Sequence, residues 1–164
     1  MAYDPTGWHD VYIMLGSAAA ALTGLVFVAL SIHLQAIGTH RFQRWRGHYL
    51  TFGLIYLTVV SALVLVPGQG HGALGIELLL GGVVAIAITG IPIIHMRSLL
   101  PTTLPFRARL VALATAIALN FGAGVSLIVR RGGGLYLLVA GLLIAMVANV
   151  SGAWSMLMGL TTDD

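Results

Sequence analysis

The segment from Gly72 to Ile91 reads GALGIELLLGGVVAIAITGI. Its length matches the ~20 apolar residues that a helix needs to cross the hydrocarbon core of a bilayer. Glu77 lies near its start and is the only acidic residue in any membrane-length apolar run of the chain. A carboxylate near hydrocarbon costs roughly 3 kcal/mol or more, so it faces a bundle interior, a cavity or a partner charge. The segment therefore predicts an integral membrane protein and selects Glu77 as its first candidate functional residue.

The composition of the whole chain agrees with this class. Of 164 residues, 59% are hydrophobic and 8% are charged, and the mean hydropathy is +0.99. A soluble domain carries roughly 25% charged residues, so this chain has too little charge to cover a surface that faces water. Its length predicts one transmembrane domain over residues 1–164. The basic residues are arginines in short loops, without a basic tail, so we expect no nucleic-acid partner.

Five apolar segments approach membrane length. We predict helices for all five, because backbone groups in lipid must satisfy their hydrogen bonds within the segment. The segments lack the alternating polarity of a transmembrane β-barrel. The predicted fold is thus an all-α polytopic membrane protein with helices at about residues 11–36, 49–66, 72–95, 110–129 and 135–160.

The arginines predict the orientation in the membrane. The loops after the first and third segments share a side and hold six arginines, whereas the loop after the fourth holds Arg130 and Arg131. Loops rich in arginine stay in the cytoplasm, so we expect the N-terminus outside and the C-terminus inside. The Arg130–Arg131 pair opposes this assignment, and a re-entrant or four-crossing arrangement near it would remove the conflict.

Small residues at helical spacing predict close helix packing. The first segment has Gly16, Ala20 and Gly24, and the fifth has Gly141, Ala145 and Gly152, with Ala148 on the same face. Such spacing lets two helix backbones approach closely. The two faces either pack the helices of one subunit together or join subunits into a symmetric homo-oligomer.

Several roles are open to Glu77. It fits a ring of carboxylates at an oligomer axis that attracts cations, or a site that binds protons. It also fits an ion pair with Arg130 or Arg131, which are predicted on the same side, or a hydrogen bond to a helix end. Asn120 and Asn149, each in the middle of a segment, either line a polar path or form hydrogen bonds between helices.

The histidines predict pH-sensitive groups. His33, His48 and His95 are expected near the inner face, and histidine titrates close to neutral pH. His9, Asp10, His71 and Glu77 are the better metal-ligand set by residue type, although interfacial histidines without a metal explain the same pattern. We expect no metal and no cofactor.

Catalytic motifs are missing from the sequence. It has no GxSxG, P-loop or HExxH motif and no cysteine, so the usual signatures of a hydrolase, a nucleotide-binding enzyme or a thiol enzyme do not occur. We therefore expect that the protein is not an enzyme.

Four stretches in the first half of the chain are distinctive: Trp8-His-Asp10, the run GSAAAALTGLVFVALSIH from Gly16 to His33, Val66-Pro-Gly-Gln69 and Leu74-Gly-Ile-Glu77. Together they resemble a family of small, actinobacterial multi-pass membrane proteins. Some members are labelled modulator of FtsH protease, a label similar to that of the Bax-inhibitor-like proteins with their paired intramembrane aspartates. This chain has no such pair, so neither the label nor a calcium function is carried over.

The sequence therefore leads to two functional hypotheses. The first is an oligomeric ion channel in the bacterial cytoplasmic membrane, cation-conducting, with Glu77 near its outer mouth. The alternative is a scaffold or regulator of a larger membrane complex that transports nothing. The expected partners are the lipid bilayer, further copies of the chain and, for the alternative, another membrane protein.

Overall fold

The computed structural model describes residues 3–32, 41–95 and 103–160, with the backbone alone at residues 41, 42, 92, 95, 159 and 160. These residues form a short 3-10 helix, Pro5–Trp8, and five long α-helices, without any strand. The α-helices are α1 His9–Ile32, α2 Arg41–Val64, α3 His71–His95, α4 Leu104–Val129 and α5 Gly134–Leu160.

All five α-helices are long and apolar enough to cross a membrane. This confirms the prediction of an all-α membrane protein with five transmembrane helices. Much of their surface consists of exposed large apolar side chains, as on Leu25 and Phe27 of α1 and Leu80 of α3. Such side chains are stable when lipid, and not water, surrounds them.

Two predicted helix starts were wrong. Helix α2 begins at Arg41 and not near Tyr49, and α4 begins at Leu104 and not at Leu110. Pro105 occupies the first turn of α4, where a missing N–H costs nothing. Arginines lie near the starts of both helices. Those arginines thus project from helices and not from loops.

The helices run alternately up and down, so the bundle has two ends. Helices α2 and α5 contact each other in the centre; α1 packs on both, and α3 packs on α2 and α4. We call the end that holds the start of α3 the glutamate end, and the end that holds the start of α2 the arginine end.

The main apolar core fills the half of the bundle nearest the glutamate end. All five helices contribute buried side chains to it, including Tyr12, Leu57, Leu78, Leu127 and Leu138. Helices α3 and α4 approach most closely at Gly75 and Gly124. A Cβ atom at Gly75 would lie 2.7 Å from the carbonyl oxygen of Gly124, so only glycine permits this distance between the two backbones.

The turn between α4 and α5 places two arginines at the glutamate end. Arg130 ends α4 in the left-handed conformation at φ 56°, and its N–H donates to the carbonyl of Ser126. Gly132 and Gly133 also have positive φ, which glycine adopts without strain. Arg130 and Arg131 are both exposed.

Candidate functional site

Glu77 is partly buried at the glutamate end, two turns into α3. The turn between α2 and α3 contains Gln69, whose side-chain Nε2 donates a 2.6 Å hydrogen bond to Oε2 of Glu77. Glu77 lies about 9 Å along the axis from the start of α3, so the Gln69 side chain reaches down from the turn to meet it. Among the described helices, Glu77 is the only acidic residue beyond a first turn, and a neutral amide holds its carboxylate.

Within the described residues, Glu77 has neither an ion-pair partner nor a set of metal ligands around it. Within residues 3–32, 41–95 and 103–160, the only ion pair is between His9 and Asp10, at 3.2 Å. The exposed Arg130 and Arg131 do not pair with Glu77. Nor does this part of the chain bring together three His, Asp or Glu side chains that could hold a metal ion, so the set of His9, Asp10, His71 and Glu77 is not assembled.

Asn120 and Asn149 line one cavity inside the subunit. The cavity has a volume of about 60 Å³ and lies between α2, α3, α4 and α5. Asn120 Nδ2 donates to the carbonyl of Leu78 on α3 at 2.9 Å, so it links two helices. Asn149 Nδ2 donates to Ala145 of its own helix at 2.8 Å.

Three polar atoms around this cavity have no hydrogen-bond partner in the described structure. They are Oδ1 of Asn120, Oδ1 of Asn149 and the hydroxyl of Tyr56. A buried water molecule needs two to four polar partners and room for about one probe sphere. The cavity volume of about 60 Å³ exceeds the room that one water molecule needs, so a water bound there would give these polar atoms a partner.

A larger cavity of about 320 Å³ opens at the arginine end, between α2, α3, α4 and α5. Arg46 of α2 and Arg109 of α4 both line it. Arg46 Nη2 donates to the Ser155 hydroxyl of α5 at 3.0 Å, and Arg109 Nη1 donates to the same oxygen at 2.6 Å. This cluster was not predicted, because the sequence does not show that the starts of α2 and α4 lie beside the end of α5.

The two cavities adjoin but do not cross the bundle. Tyr49, Thr89, Leu113 and Ile117 line both of them. Beyond the asparagines, towards the glutamate end, the apolar core fills the bundle. The interior of the bundle therefore opens towards the arginine end and is closed towards Glu77.

The structure describes the side chain of only one of the three candidate histidines. His48 is exposed on α2, and His95 is the last residue of α3, where only the backbone is described. His33 lies outside the described residues.

The small residues divide into internal and exposed positions. A Cβ at Gly16 would lie 3.0 Å from Cβ of Ser61, one at Gly141 3.2 Å from the Ala116 carbonyl oxygen, and one at Gly152 2.7 Å from Cδ2 of Leu50. These three glycines, with Ala145 at the central cavity, pack helices within the subunit. By contrast, Ala20 and Gly24 are exposed, and Gly24 has open space around it.

No protein-family model, no curated protein and no solved structure matches this chain. The resemblance of its N-terminal half to the actinobacterial family stays a prediction.

Proposed function

We propose that the protein forms an oligomeric, cation-conducting pathway in a bacterial cytoplasmic membrane, with the N-terminus outside and Glu77 near the outer mouth. The observation that carries the proposal is the hydrogen bond from Gln69 to Glu77. A neutral amide orients the carboxylate without cancelling its charge, as an arginine would. A ring of such carboxylates attracts cations and repels anions.

The pathway runs between subunits and not through one. The apolar core closes the interior of each subunit near Glu77. Glu77 itself is partly exposed at the edge of α3, beside the exposed side chains of Ile76 and Leu80. Symmetric association through this edge brings the carboxylates of several copies around one axis.

The exposed small residues of α1 support self-association. Ala20 and Gly24 are spaced four residues apart and face away from the subunit. In lipid, small residues at this spacing let a helix of a second copy approach closely. In this proposal α1 of one copy therefore packs against the α3 edge of the next copy, while Asn120 and Asn149 stay inside each subunit and outside the pathway.

Cation flux from liposomes tests this function, with wild type compared with Glu77→Gln. The variant can still accept the hydrogen bond from Gln69, so we expect it to fold and assemble. Loss of one charge per subunit, at about 1 kcal/mol or more, predicts at least a fivefold fall in the preference for K⁺ over Cl⁻. Asp10→Asn is the matched control, because it removes an exposed charge from the same end, and it should leave selectivity unchanged.

Two results would contradict the proposal. Folded wild-type oligomer that passes neither K⁺, Na⁺ nor Cl⁻ would favour the alternative function. Loss of the folded oligomer in Glu77→Gln would show that the carboxylate serves the fold instead.

The alternative is a membrane scaffold or regulator that transports nothing. The closed interior of the subunit near Glu77 favours it. This function predicts a membrane protein that co-purifies with the wild type and is lost when the exposed Arg44 and Arg107 are both replaced by glutamine.

A further inference from the structure

The cluster of Arg46, Arg109 and Ser155 joins three helices around a single oxygen atom. The Ser155 hydroxyl donates to the Gly152 carbonyl of its own helix at 3.0 Å. It accepts one N–H from Arg46 and one from Arg109. A hydroxyl offers one donor and two acceptor positions, so Ser155 is fully used and fixes both guanidinium groups beside each other.

Two positive charges held this close repel each other. Repulsion between like charges grows as water is excluded, and both arginines are partly buried. An anion bound between them would offset that repulsion.

We propose that the cavity at the arginine end binds a phosphate group, carried by an anionic lipid. A guanidinium group has five N–H donors in a planar fork that matches the oxygens of a phosphate. Arg109 gives one of these to Ser155 and makes no other hydrogen bond with the described residues, so further donors remain for a ligand.

Aromatic residues complete the polar part of the site. Tyr49 lines the cavity one turn beyond Trp45, and the two rings stack with centroids 5.5 Å apart. The Tyr49 hydroxyl makes no hydrogen bond to any residue described and supplies another donor beside the arginines. Paired tryptophan and tyrosine at a helix end are typical of the depth where lipid headgroups lie.

The rest of the cavity favours a lipid over a free ion. Its walls away from the arginines are apolar, with Ile86, Ile93, Leu110 and Leu113 among them. Its volume of about 320 Å³ lies within the range of roughly 300–1,000 Å³ for ligand pockets and exceeds what a phosphate group alone fills. The cavity thus combines a positive region with space for the apolar part of the same molecule.

A second apolar surface begins at Arg109. A shallow groove of about 530 Å³ runs between α4 and α5, lined by Arg109 and by Ala112, Leu143 and Val147. Arg109 therefore borders both the cavity and a surface that faces the membrane. An acyl chain could follow the groove while its phosphate group contacts the guanidinium, which is how basic pockets between transmembrane helices hold anionic headgroups.

Binding to the purified full-length protein in detergent tests this site independently of any ion flux. Native mass spectrometry would follow titration with phosphatidylglycerol and with zwitterionic phosphatidylcholine, and thermal denaturation would follow titration with inorganic phosphate. The wild type should bind phosphatidylglycerol in preference to phosphatidylcholine. Arg109→Gln should weaken the binding of phosphatidylglycerol roughly tenfold or more, because it removes a charged hydrogen-bonding partner.

The matched control is Arg107→Gln. Arg107 is exposed on the same turn of α4, so the variant loses the same charge from the same end and should retain its affinity within about twofold. Arg109→Lys preserves the charge but loses the planar fork. Arg109→Lys replaces Arg109→Gln in the binding test if Arg109→Gln does not fold. It should bind phosphatidylglycerol severalfold more weakly than wild type.

The outcomes separate the possible sources of the phosphate group. Binding of inorganic phosphate that Arg109→Gln abolishes supports a phosphate site open to the free ion, and binding of phosphatidylglycerol alone supports a lipid site. Equal losses of affinity for phosphatidylglycerol in Arg107→Gln and Arg109→Gln would overturn the proposal, because the overall positive charge of this end, and not one site, would then attract the lipid. It would also be overturned if only the variant Asp163→Asn/Asp164→Asn bound either probe, since the chain's own carboxylates would then occupy the cavity.

Discussion

The two ends of the bundle differ in their charged side chains and in how tightly they are packed. At the glutamate end, side chains from all five helices fill the interior, and the carboxylate of Glu77 lies at the edge of α3 with an amide partner. At the arginine end, two guanidinium groups face a cavity of about 320 Å³. The comparison indicates that packing at the glutamate end stabilises the fold, whereas the arginine end has space for a ligand.

Two glycines of α3 show the same difference between the packed end and the open end. Gly75 of α3 lies at the close crossing with α4, whereas Gly90 of α3 lines the cavity at the arginine end. The nearest atom to a Cβ at Gly90 would be Cγ2 of Ile86 at 3.7 Å, an ordinary contact within the helix. One residue type therefore permits a close backbone approach at one end and borders open space at the other.

The largest loss of stability is expected from Gly75→Ala. Its Cβ would lie 2.7 Å from both the Gly124 carbonyl oxygen and Cγ1 of Ile128, so α3 and α4 must move apart. Overpacking of this kind costs about 1–3 kcal/mol. Unfolding in mixed detergent micelles, followed by circular dichroism, would measure the loss of stability.

Gly90→Ala is the matched control in the same helix. It meets no close neighbour and removes a helical glycine, which is worth up to about 1 kcal/mol in favour of alanine. We expect unchanged or slightly raised stability. Equal losses of stability in the two variants would contradict the division between a packed end and an open end.

The sequence predicted most of the fold because membrane helices have a strong signal in a single chain. Length and apolarity located all five helices. The starts of α2 and α4 were wrong because their first turns carry arginines, which lower the apolarity of a window although the helix continues into the interface. Pro105 added to the error, since proline breaks a helix interior but suits a first turn.

The candidate sites were harder to predict. Glu77 stood out because a carboxylate in an apolar run is costly, but its partner Gln69 did not, since a neutral amide in a turn has no distinctive signal. The arginine cluster draws Arg46, Arg109 and Ser155 from three separate helices. Only the packing of those helices brings the residues together.

A smaller loss of stability is expected from Asn120→Ala. Asn120 lies between the packed half at the glutamate end and the open half at the arginine end. The variant loses the hydrogen bond to the Leu78 carbonyl, and such bonds between transmembrane helices contribute about 0.6 kcal/mol, with a maximum near 1.7. Asn149→Ala serves for comparison, because the Asn149 amide donates only within its own helix. The same unfolding assay should show the greater loss for Asn120→Ala; the reverse order would mean that Asn120 does not join α3 to α4.

The smallest effect on the subunit, and the clearest effect on assembly, is expected from Gly24→Leu. Gly16 of the same helix faces Ser61 at the packed end, whereas Gly24 has nothing within 4 Å of its Cβ position. A Cβ at Gly24 therefore has no close neighbour within the chain, and the free energy of unfolding should change by no more than about 0.5 kcal/mol. A neighbouring copy that packs against Ala20 and Gly24 would, however, be pushed away, so chemical crosslinking in liposomes should show fewer oligomers.

Met14→Leu, at an exposed site on the same helix, should leave assembly intact. Unchanged crosslinking in Gly24→Leu would place the contact between subunits on another helix, and the glutamate ring would then need a different axis.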